Sequence, residues 1–378
     1  MRHETRNVAV VGVGPVGTGE HGRGIPAVAA LLHELSVDHT ITVYSLLRAL
    51  PAHAPESIRL RSLPVRTPWL KLDMCLLGFM IVFDHLRRRI DLLHALDAFP
   101  AGRICELLAR LLEVPCLLTM LGEELSNLED PELGRAPSAT ERHRTAMICE
   151  SVDVVVVLTA FQARGLDELP ARPRQTAVVP LGIDTSGFDF RPRRLEPPLR
   201  FLHVAHAHRV KAMPVVLEAF ADIVAEVDAV LVVIGSGHIG GATAARVEAL
   251  ALTDRVRLIG PLPHDELPPH YRAAHFLLHA SWYESQCVAF IEALACGAVV
   301  CSSDVGLAAD LGADCCILVE RGQPHVLARR VLHVSRDERR YRALQSDALD
   351  WCRAHDVCWT ANEYRRLYRE LAGTGDSV

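Results

Sequence analysis

The sequence has no C-x-x-C pair and no H-E-x-x-H motif, although it contains 11 cysteines and 19 histidines. Cysteine pairs at that spacing would indicate a redox or structural zinc site, and H-E-x-x-H would indicate a catalytic zinc site. Most of the cysteines lie in apolar runs, as in Ile104-Cys105 and Val300-Cys301. We therefore expect buried, reduced thiols and no bound metal.

A net positive charge and long uninterrupted apolar runs are also missing. The 378 residues carry a formal net charge of −6, which does not indicate a nucleic-acid partner. The apolar segment 69–83 is too short and too interrupted for a membrane-spanning helix, which needs about 20 residues. A strand pattern begins at Asn7, so no signal peptide is expected. These absences predict a cytoplasmic protein.

Residues 69–83 still allow two interpretations, because they are followed by three arginines at 87–89. The interpretation that we favour from the sequence is a buried helix with a solvated basic end. The alternative is peripheral contact with the inner face of a membrane. The helix would then lie on an anionic surface with its arginines among the headgroups.

Half of the residues are hydrophobic, and strand-like runs alternate with helical patterns along the chain. This alternation is typical of parallel sheets with crossover helices. A loop at 182–198, rich in Pro, Arg and Gly, separates two such series. The sequence predicts an α/β protein with two Rossmann-like domains, 1–185 and 186–355, that face each other across a cleft. A last helix in 356–378 is expected to pack back onto the first domain. Strands are predicted near residues 7, 40, 91, 116, 154, 177, 200, 229, 256, 276, 299 and 316.

A glycine motif follows the first strand. Residues 12–17 match G-x-G-x-x-G, which is typical of dinucleotide-binding dehydrogenases. However, no helix begins until Pro26, and the second strand ends without the acidic residue that binds an adenosine ribose. Two other interpretations stay open. One is a structural turn, and the other is a loop at the cleft in which Gly22 and Gly24 let backbone N–H groups approach a phosphate.

Two glutamates eight residues apart, Glu284 and Glu292, stand in the most informative stretch. Glu284 follows an apolar run and a polar turn, and Glu292 lies in a helical pattern that Gly297 closes. Both carboxylates could face a ligand whose anionic part rests on the helix N-terminus. They suit sugar and ribose hydroxyls as hydrogen-bond acceptors. Spacing alone favours a simpler alternative, an exposed helix with two solvated acids.

Further motifs surround this pair in a fixed order. V-P-L-G-I-D at 179–184 precedes the strand and loop F-L-H-V-A-H-A-H-R-V-K at 201–211, and V-V-I-G-S-G follows at 232–237. R-V-R-L-I-G and L-P-H-D-E-L lie within 255–267, and A-C-G-A-V-V follows the glutamates at 295–300. The ordered set resembles the family-4 retaining glycosyltransferases, enzymes of the GT-B fold. The resemblance is specific from about residue 178 to 310 and weaker in the first half.

The resemblance implies a nucleotide-diphosphate sugar as donor substrate, with side-chain cations in place of a metal cofactor. Arg209 and Lys211 would bind the donor diphosphate, where charge develops as the glycosidic bond breaks. Glu292 would hold the ribose hydroxyls, and Glu284 would hold the transferred sugar without acting as a nucleophile. The other positions implied on the donor side are Gly235 and the backbone near Ser285, Gln286 and Cys287.

The sequence departs from the family pattern at three places. His206 stands where many members have the diphosphate arginine, and Ser-Gln-Cys follows Glu284 where Gly-x-Pro or Gly-x-Gly is common. In T-M-L-G-E-E at 119–124, Leu121 replaces the histidine of H-G-x-(D/E). The candidates for the acceptor side are therefore His21, His94 and Glu123.

The function predicted from the sequence is a retaining, metal-independent glycosyltransferase. Its acceptor would be a sugar, a lipid-linked group or a small molecule. Two alternatives stay open. One is a nucleotide-sugar epimerase or a phosphorylase of the same fold, and the other is a non-catalytic donor-binding partner subunit.

Overall fold

A computed structural model describes residues 5–12, 25–46, 58–63, 69–122, 124–126 and 137–373. Their strands form two sheets, in which all neighbouring strands pair in parallel. The first sheet contains β1 Asn7–Gly12, β2 Thr40–Ser45, β3 Arg59–Ser62, β4 Leu92–Ala95, β5 Cys116–Met120, β6 Val154–Val157 and β7 Thr176–Val178. The second contains β8 Leu199–Val204, β9 Ala229–Ile234, β10 Val256–Ile259, β11 Phe276–Leu278, β12 Val299–Ser303 and β13 Cys316–Val319.

Both sheets are doubly wound. The first has the order β3-β2-β1-β4-β5-β6-β7 and the second the order β10-β9-β8-β11-β12-β13. Each series therefore begins in the interior of its sheet, extends to one edge and then returns to build the other side. The switch points lie between β1 and β4 and between β8 and β11. Ligands of such sheets bind beyond the carboxyl ends of the strands at these points. The predicted architecture of two Rossmann-like domains is confirmed.

Helices connect the strands and cover the sheets. Proline stands in the first turn of α1, α6, α8 and α11, where its missing N–H would have no intrahelical partner. The helices of the described residues are α1 Pro26–Leu35, α2 Leu70–Arg87, α3 Arg103–Leu112, α4 Ala139–Ser151, α5 Ala160–Asp167, α6 Met213–Glu226, α7 Ala242–Ala249, α8 Pro268–Ala273, α9 Val288–Ala295, α10 Gly306–Cys315, α11 Pro324–Ser335, α12 Glu338–Ala354 and α13 Val357–Gly373.

Helix α2 is buried on one side only. Leu77 and Ile81 are fully buried, whereas Phe79, Phe83 and Leu86 are exposed. The expectation of a buried helix is therefore wrong for the side of α2 that carries these three residues. Among the helices in the described ranges, none is long and apolar enough to cross a membrane.

Strand β3 is an element that the sequence pattern does not reveal. It is a four-residue edge strand in which Arg59 and Arg61 are exposed. Leu60 is its only apolar residue, so neither an apolar run nor a clear alternation marks it. Exposed charged residues of this kind are typical of edge strands, which must avoid pairing with other chains.

One apolar cluster joins the two domains and the last helix. It draws members from β1, β5, β8, β11 and α13, among them Val10, Leu117, Leu202, Leu277 and Tyr364. Helix α13 packs against α1, and Arg365 Nε lies 3.0 Å from an oxygen of Asp38 at the end of that helix. The chain thus crosses from the second domain to the first at about residue 356, and its last described helix completes the first domain.

Candidate active site

Glu284 lies in the loop between β11 and α9, where it is 6% exposed and bonded on several sides. The ammonium of Lys211 lies 2.7 and 2.8 Å from its two oxygens. Ser281 Oγ and His279 Nε2 contact Glu284 Oε1 at 2.5 and 2.9 Å. Burial by itself would raise the pKa of Glu284, but Lys211 and His279 outweigh it and hold the pKa well below its usual range. The carboxylate is thus a buried anion that is paired with a cation.

Lys211 reaches this carboxylate from a short 3₁₀ turn between β8 and α6. The turn spans Arg209–Lys211, and His208 Nδ1 accepts a hydrogen bond from the N–H of Val210. Val210 is buried, and its carbonyl accepts from the N–H of Trp282 at 2.8 Å, which ties the turn to the Glu284 loop. The guanidinium of Arg209 is exposed and has no hydrogen-bond or ion-pair partner among the described residues. The structure thus brings together Lys211 and Glu284 and leaves Arg209 available at the surface.

The residues after Glu284 tie this loop to the first domain. Ser285 Oγ donates to the carbonyl of Leu121 at 2.9 Å, and Thr159 Oγ1 donates to the carbonyl of Ser285 at 2.7 Å. The buried amide of Gln286 bonds both the N–H and the carbonyl of Leu181, at 2.8 and 2.7 Å. These side chains are therefore occupied by the protein itself. The donors that these two residues can still offer to a ligand are their backbone N–H groups, which have no acceptor among the described residues.

Three consecutive backbone N–H groups precede α9. Those of Ser285, Gln286 and Cys287 donate to no acceptor within the described part of the chain. Cys287 has a φ of 73°, a left-handed conformation that is uncommon for a residue with a side chain. The first N–H groups of the helix also lack intrahelical acceptors. Together they make a concentration of donors, close to Lys211, that suits an anion.

Glu292 lies inside α9 and is 3% exposed. His264 Nε2 lies 2.6 Å from Glu292 Oε1. Both residues border a cavity of about 250 Å³ that His206, Gly235 and Leu262 also line. A second cavity of about 560 Å³ adjoins it and shares Glu292 and His264, with α1 of the first domain on its other side. The simpler alternative of two solvated acids is wrong, because Glu284 and Glu292 are both buried.

Gly235 ends β9 at the wall of the smaller cavity. Its φ is 148°, and a Cβ at this position would lie 1.9 Å from the carbonyl oxygen of Ala205. Only glycine therefore allows the ends of β8 and β9 to come this close. The neighbouring His206 is exposed, and its Nδ1 lies 2.8 Å from Ser236 Oγ. His206 and His208 thus lie in the exposed loop after β8.

One group of side chains has the spacing of a metal site. Ligand atoms of His279, Glu284 and Cys287 all lie within 4.8 Å of one another. Burial raises the pKa of the Cys287 thiol well above its usual range, which disfavours the thiolate that metals bind. In addition, Lys211 occupies both oxygens of Glu284, so a metal ion would have to displace it. This group of side chains therefore suits the ammonium of Lys211 better than it suits a metal ion.

The acceptor-side prediction for His94 is not supported by its position. His94 is fully buried, and its two ring nitrogens lie 2.8 Å from Tyr368 Oη and from Thr119 Oγ1. It also stacks on Tyr364. His94 therefore connects the first sheet with α13 and does not face the cleft. The other candidates in this half, His21, Gly22, Gly24 and Glu123, lie outside the described residues.

Two further residues, Glu124 and His264, are not among the site residues predicted from the sequence. Glu124 is the acid of T-M-L-G-E-E that the structure describes, and its Oε2 is shielded from solvent without a hydrogen-bond partner in the described ranges. Burial raises the pKa of Glu124 to about 6. His264, the partner of Glu292, stands in L-P-H-D-E-L and carries no signal of its role. Glu124 could have been recognised as the fourth residue of the H-G-x-(D/E) pattern.

Comparison with known proteins agrees with this geometry. Residues 198–337 match the family model of Glycosyl transferases group 1, and residues 19–182 match that of the Glycosyl transferase 4-like domain. D-inositol 3-phosphate glycosyltransferase 1 of Catenulispora acidiphila is 30% identical over 283 residues, which cover 68% of this chain and 67% of that protein. The chain belongs to the family-4 glycosyltransferases.

Another relative within the family is the D-inositol 3-phosphate glycosyltransferase of Kineococcus radiotolerans. It is 29% identical over 245 residues, which cover 59% of this chain and 56% of that protein. The match to the enzyme of the same name from Geodermatophilus obscurus covers 40% of that protein. The chain thus spans about half the length of these relatives.

Two solved structures show the same fold. Sucrose-phosphate synthase from Thermosynechococcus elongatus has a TM-score of 0.81 at 20% identity, over 98% of this chain and 100% of that chain. Anabaena HepE in complex with UDP and glucose has a TM-score of 0.77 at 15% identity, over 97% and 100%. Identities this low concern the fold alone, and they confirm the GT-B arrangement.

Proposed function

We propose that this chain is a retaining glycosyltransferase that moves a sugar from a nucleotide-diphosphate sugar to an acceptor hydroxyl without a metal ion. The observation that carries the proposal is the pairing of Lys211 with the buried Glu284, next to three N–H groups before α9 that have no acceptor among the described residues. A fixed cation beside oriented N–H donors is what a departing nucleoside diphosphate requires.

The donor would be divided between the two glutamates. Glu292 borders a cavity of about 250 Å³, and its carboxylate can accept hydrogen bonds from ribose hydroxyls. His264 would then give up its contact with this carboxylate or share the carboxylate with the ribose. Glu284 is held as an anion beside Lys211 and would accept hydrogen bonds from the transferred sugar. The Anabaena HepE structure is a complex with UDP and glucose, which supports a nucleotide sugar as donor.

Lys211 would contribute most in the transition state. As the glycosidic bond breaks, negative charge grows on the diphosphate, and a nearby ammonium stabilises that charge more than it stabilises the intact donor. Arg209, which is exposed and without a described partner, is placed on the same turn to assist. With Lys211, Ser281 and His279 all bonded to Glu284, this carboxylate is a poor nucleophile. We therefore favour attack of the acceptor on the same face as the leaving phosphate, which would take the proton of the incoming hydroxyl.

For the acceptor, three classes stay open: a sugar, a lipid-linked group or a small molecule. The names of the three relatives described above contain D-inositol 3-phosphate, so this compound begins the panel to be tested. The cytoplasmic location expected from the sequence stays a prediction. Peripheral membrane contact is a separate proposal, because α2 borders neither of the two cavities beside Glu292.

The donor site is tested by Glu292→Ala, with Glu292→Gln as the variant that keeps the volume. Because charge-assisted hydrogen bonds contribute about 1.5–3 kcal/mol, we expect a nucleoside diphosphate to bind roughly ten- to hundredfold more weakly. Isothermal titration calorimetry with UDP and GDP measures this change. Glu248→Ala, at an exposed acid of α7, is the control and should bind like the wild type.

Lys211→Ala is expected to lower turnover by about 10²- to 10³-fold, as the loss of one transition-state donor does in other enzymes. Arg339→Ala, at an exposed position of α12, is the matched control.

The anomeric configuration of the product tests retention, and activity in the presence of a metal chelator tests metal independence. Unchanged nucleotide affinity in Glu292→Ala together with unchanged turnover in Lys211→Ala would refute the proposal. Nucleotide release without acceptor, or a requirement for inorganic phosphate, would instead identify an epimerase or a phosphorylase. Tight binding without turnover on any acceptor would identify a partner subunit.

A further inference from the structure

Helix α2 carries an apolar stripe on the side opposite to its buried face. Leu72, Leu76, Phe79, Phe83 and Leu86 follow one another at spacings of four and three residues, so they share one side of the helix. All five are exposed, Phe79 by 73% and Leu86 by 79%. Exposed apolar residues that occur singly need no explanation, but a continuous row along about 21 Å of helix does.

The apolar surface extends from α2 to its neighbour α3. Leu107 and Leu111 of α3 are exposed by 48% and 68%. Between the two helices lies a groove of about 570 Å³, lined mainly by apolar side chains that include Phe79, Val82 and Leu111. The stripe and the groove together form one apolar face, which we call the α2–α3 face.

Charge distribution shows what this face can bind. Lys71, Arg103 and Arg144 line the groove, and Arg87 lies over the ring of Phe83 with its guanidinium carbon 4.2 Å from the ring centre. Two more exposed arginines, Arg88 and Arg89, directly follow α2.

The carboxylates of the two helices are turned away or neutralised. Asp73 is 2% exposed, Asp84 bonds Tyr44 and Arg61, and Glu106 bridges Arg103 and Arg110. The face is therefore basic, although the whole chain has a net charge of −6.

We propose that the α2–α3 face docks on the surface of an anionic membrane, with α2 parallel to the bilayer. An apolar row flanked by cations fits this environment, since the side chains enter the acyl boundary and the cations meet the headgroups. Trp69 precedes α2 and is 69% exposed, as suits an aromatic residue at the interface. A second copy of the chain is the poorer match. In a coiled coil the residues that flank the stripe would be paired charges, and here they include Cys75, Met80 and Val82.

Flotation of the full chain with vesicles tests the proposal. We expect binding to vesicles of equal parts phosphatidylglycerol and phosphatidylcholine, and little binding to phosphatidylcholine alone. Phe79→Asp combined with Phe83→Asp should weaken binding at least tenfold, because the row would no longer enter the bilayer. Arg87→Glu combined with Arg89→Glu should also lose at least tenfold, since each basic residue near an anionic surface contributes about fivefold. Ile239→Asp, at a 63% exposed apolar residue of the second domain, is the control and should bind like the wild type.

The outcome is decisive in either direction, since the substituted side chains are exposed and the fold can be checked by thermal unfolding. Equal binding to neutral and anionic vesicles, or wild-type binding by both double variants, would overturn the proposal. Sedimentation velocity without vesicles covers the remaining case. A dimer that dissociates in Phe79→Asp with Phe83→Asp would assign the face to self-association and would also overturn it. Vesicle binding needs neither donor nor acceptor, so its failure would leave the proposed transfer reaction untouched.

Discussion

At the scale of single residues, Glu124 is a carboxyl group that burial makes harder to ionise. Its Oε2 is shielded from solvent without a described partner, and burial raises its pKa to about 6, above the usual value of 4.5. The folded state therefore holds this proton more tightly than the unfolded chain does. The stabilisation by the proton is complete below pH 4.5 and is lost as the pH rises through 6. At neutral pH the protein carries a buried charge at a cost to stability.

Glu124→Gln is expected to remove that cost. Relative to the wild type, the variant should gain about 1 kcal/mol in free energy of unfolding between pH 5 and pH 7.5, because only the wild type must ionise a buried group. Urea unfolding at the two pH values measures the difference. Glu150→Gln, at an exposed acid of α4, should show no such pH-dependent gain. A variant that gains nothing over the wild type as the pH rises would contradict the environment described for Glu124. A simultaneous fall in turnover would mark Glu124 as a group that the acceptor side needs.

At the scale of elements, α13 depends on a buried histidine for its attachment to the first sheet. His94 bonds Tyr368 and Thr119, and Thr119 Oγ1 also lies 2.9 Å from Tyr364 Oη. Burial lowers the pKa of His94 from 6.5 to about 3, so the ring is neutral in the folded state. In the unfolded chain His94 is protonated below pH 6.5, whereas in the folded chain it is protonated only below about pH 3. The stability from this group is therefore fully present above pH 6.5 and is lost as the pH falls.

We expect the wild type to lose about 2 kcal/mol more than His94→Gln when the pH is lowered from 7 to 5. Other buried histidines titrate in both proteins, so the comparison isolates the share of His94. Chemical unfolding at pH 7, 6 and 5 gives the free energies. His333→Gln, at an exposed position of α11, is the control and should follow the wild type. Parallel pH dependence in the wild type and His94→Gln would show that His94 is not held neutral against α13.

The elements also show how far the sequence leads. Apolar runs revealed twelve strands of the two sheets because strands that are covered on both faces need such runs. β3 was missed because an edge strand with exposed arginines has no run. Helix α2 was misjudged for the opposite reason. Its apolar residues occur on every side, which is typical of a buried helix, and no local pattern shows that only one of its sides meets the protein.

In the candidate site, the order of the sequence motifs identified Lys211, Glu284 and Glu292 as site residues. It did not show which side chains these three residues contact. The pairing of Lys211 with Glu284 and that of His264 with Glu292 join residues 73 and 28 positions apart. Such contacts depend on where β8 and β11 lie in the second sheet and on how α9 packs against it. His94 shows the same limit from the other side. A histidine at the end of a strand near a switch point has the position of a ligand-binding residue, yet a helix from the far end of the chain covers it.

At the scale of the whole molecule, the two domains are connected by two chain crossings that touch each other. Gly182 lies on the first, and its N–H donates to Thr360 Oγ1 of the second at 2.8 Å. The same hydroxyl donates to the carbonyl of Pro180 at 2.9 Å. The N–H of Val357 bonds the carbonyl of Ile183. The two crossings are thus joined by one backbone hydrogen bond and by the hydroxyl of Thr360, in addition to the apolar cluster that both domains share.

Gly182→Ala tests this contact, because a Cβ at this position would lie 2.2 Å from the carbonyl carbon of Asp356. Backbone cannot rotate aside as a flexible side chain can, so the crossings must separate. We expect a loss of about 1–3 kcal/mol in the free energy of unfolding, the range seen for overpacked sites, and a broader transition as the domains become less coupled. Gly187→Ala is the matched control five residues later. No atom lies within 4 Å of its added Cβ, and this variant should stay within about 1 kcal/mol of the wild type. Equal stability of the two alanine variants in urea unfolding would mean that the crossings can part at no cost. The apolar cluster alone would then hold the domains together.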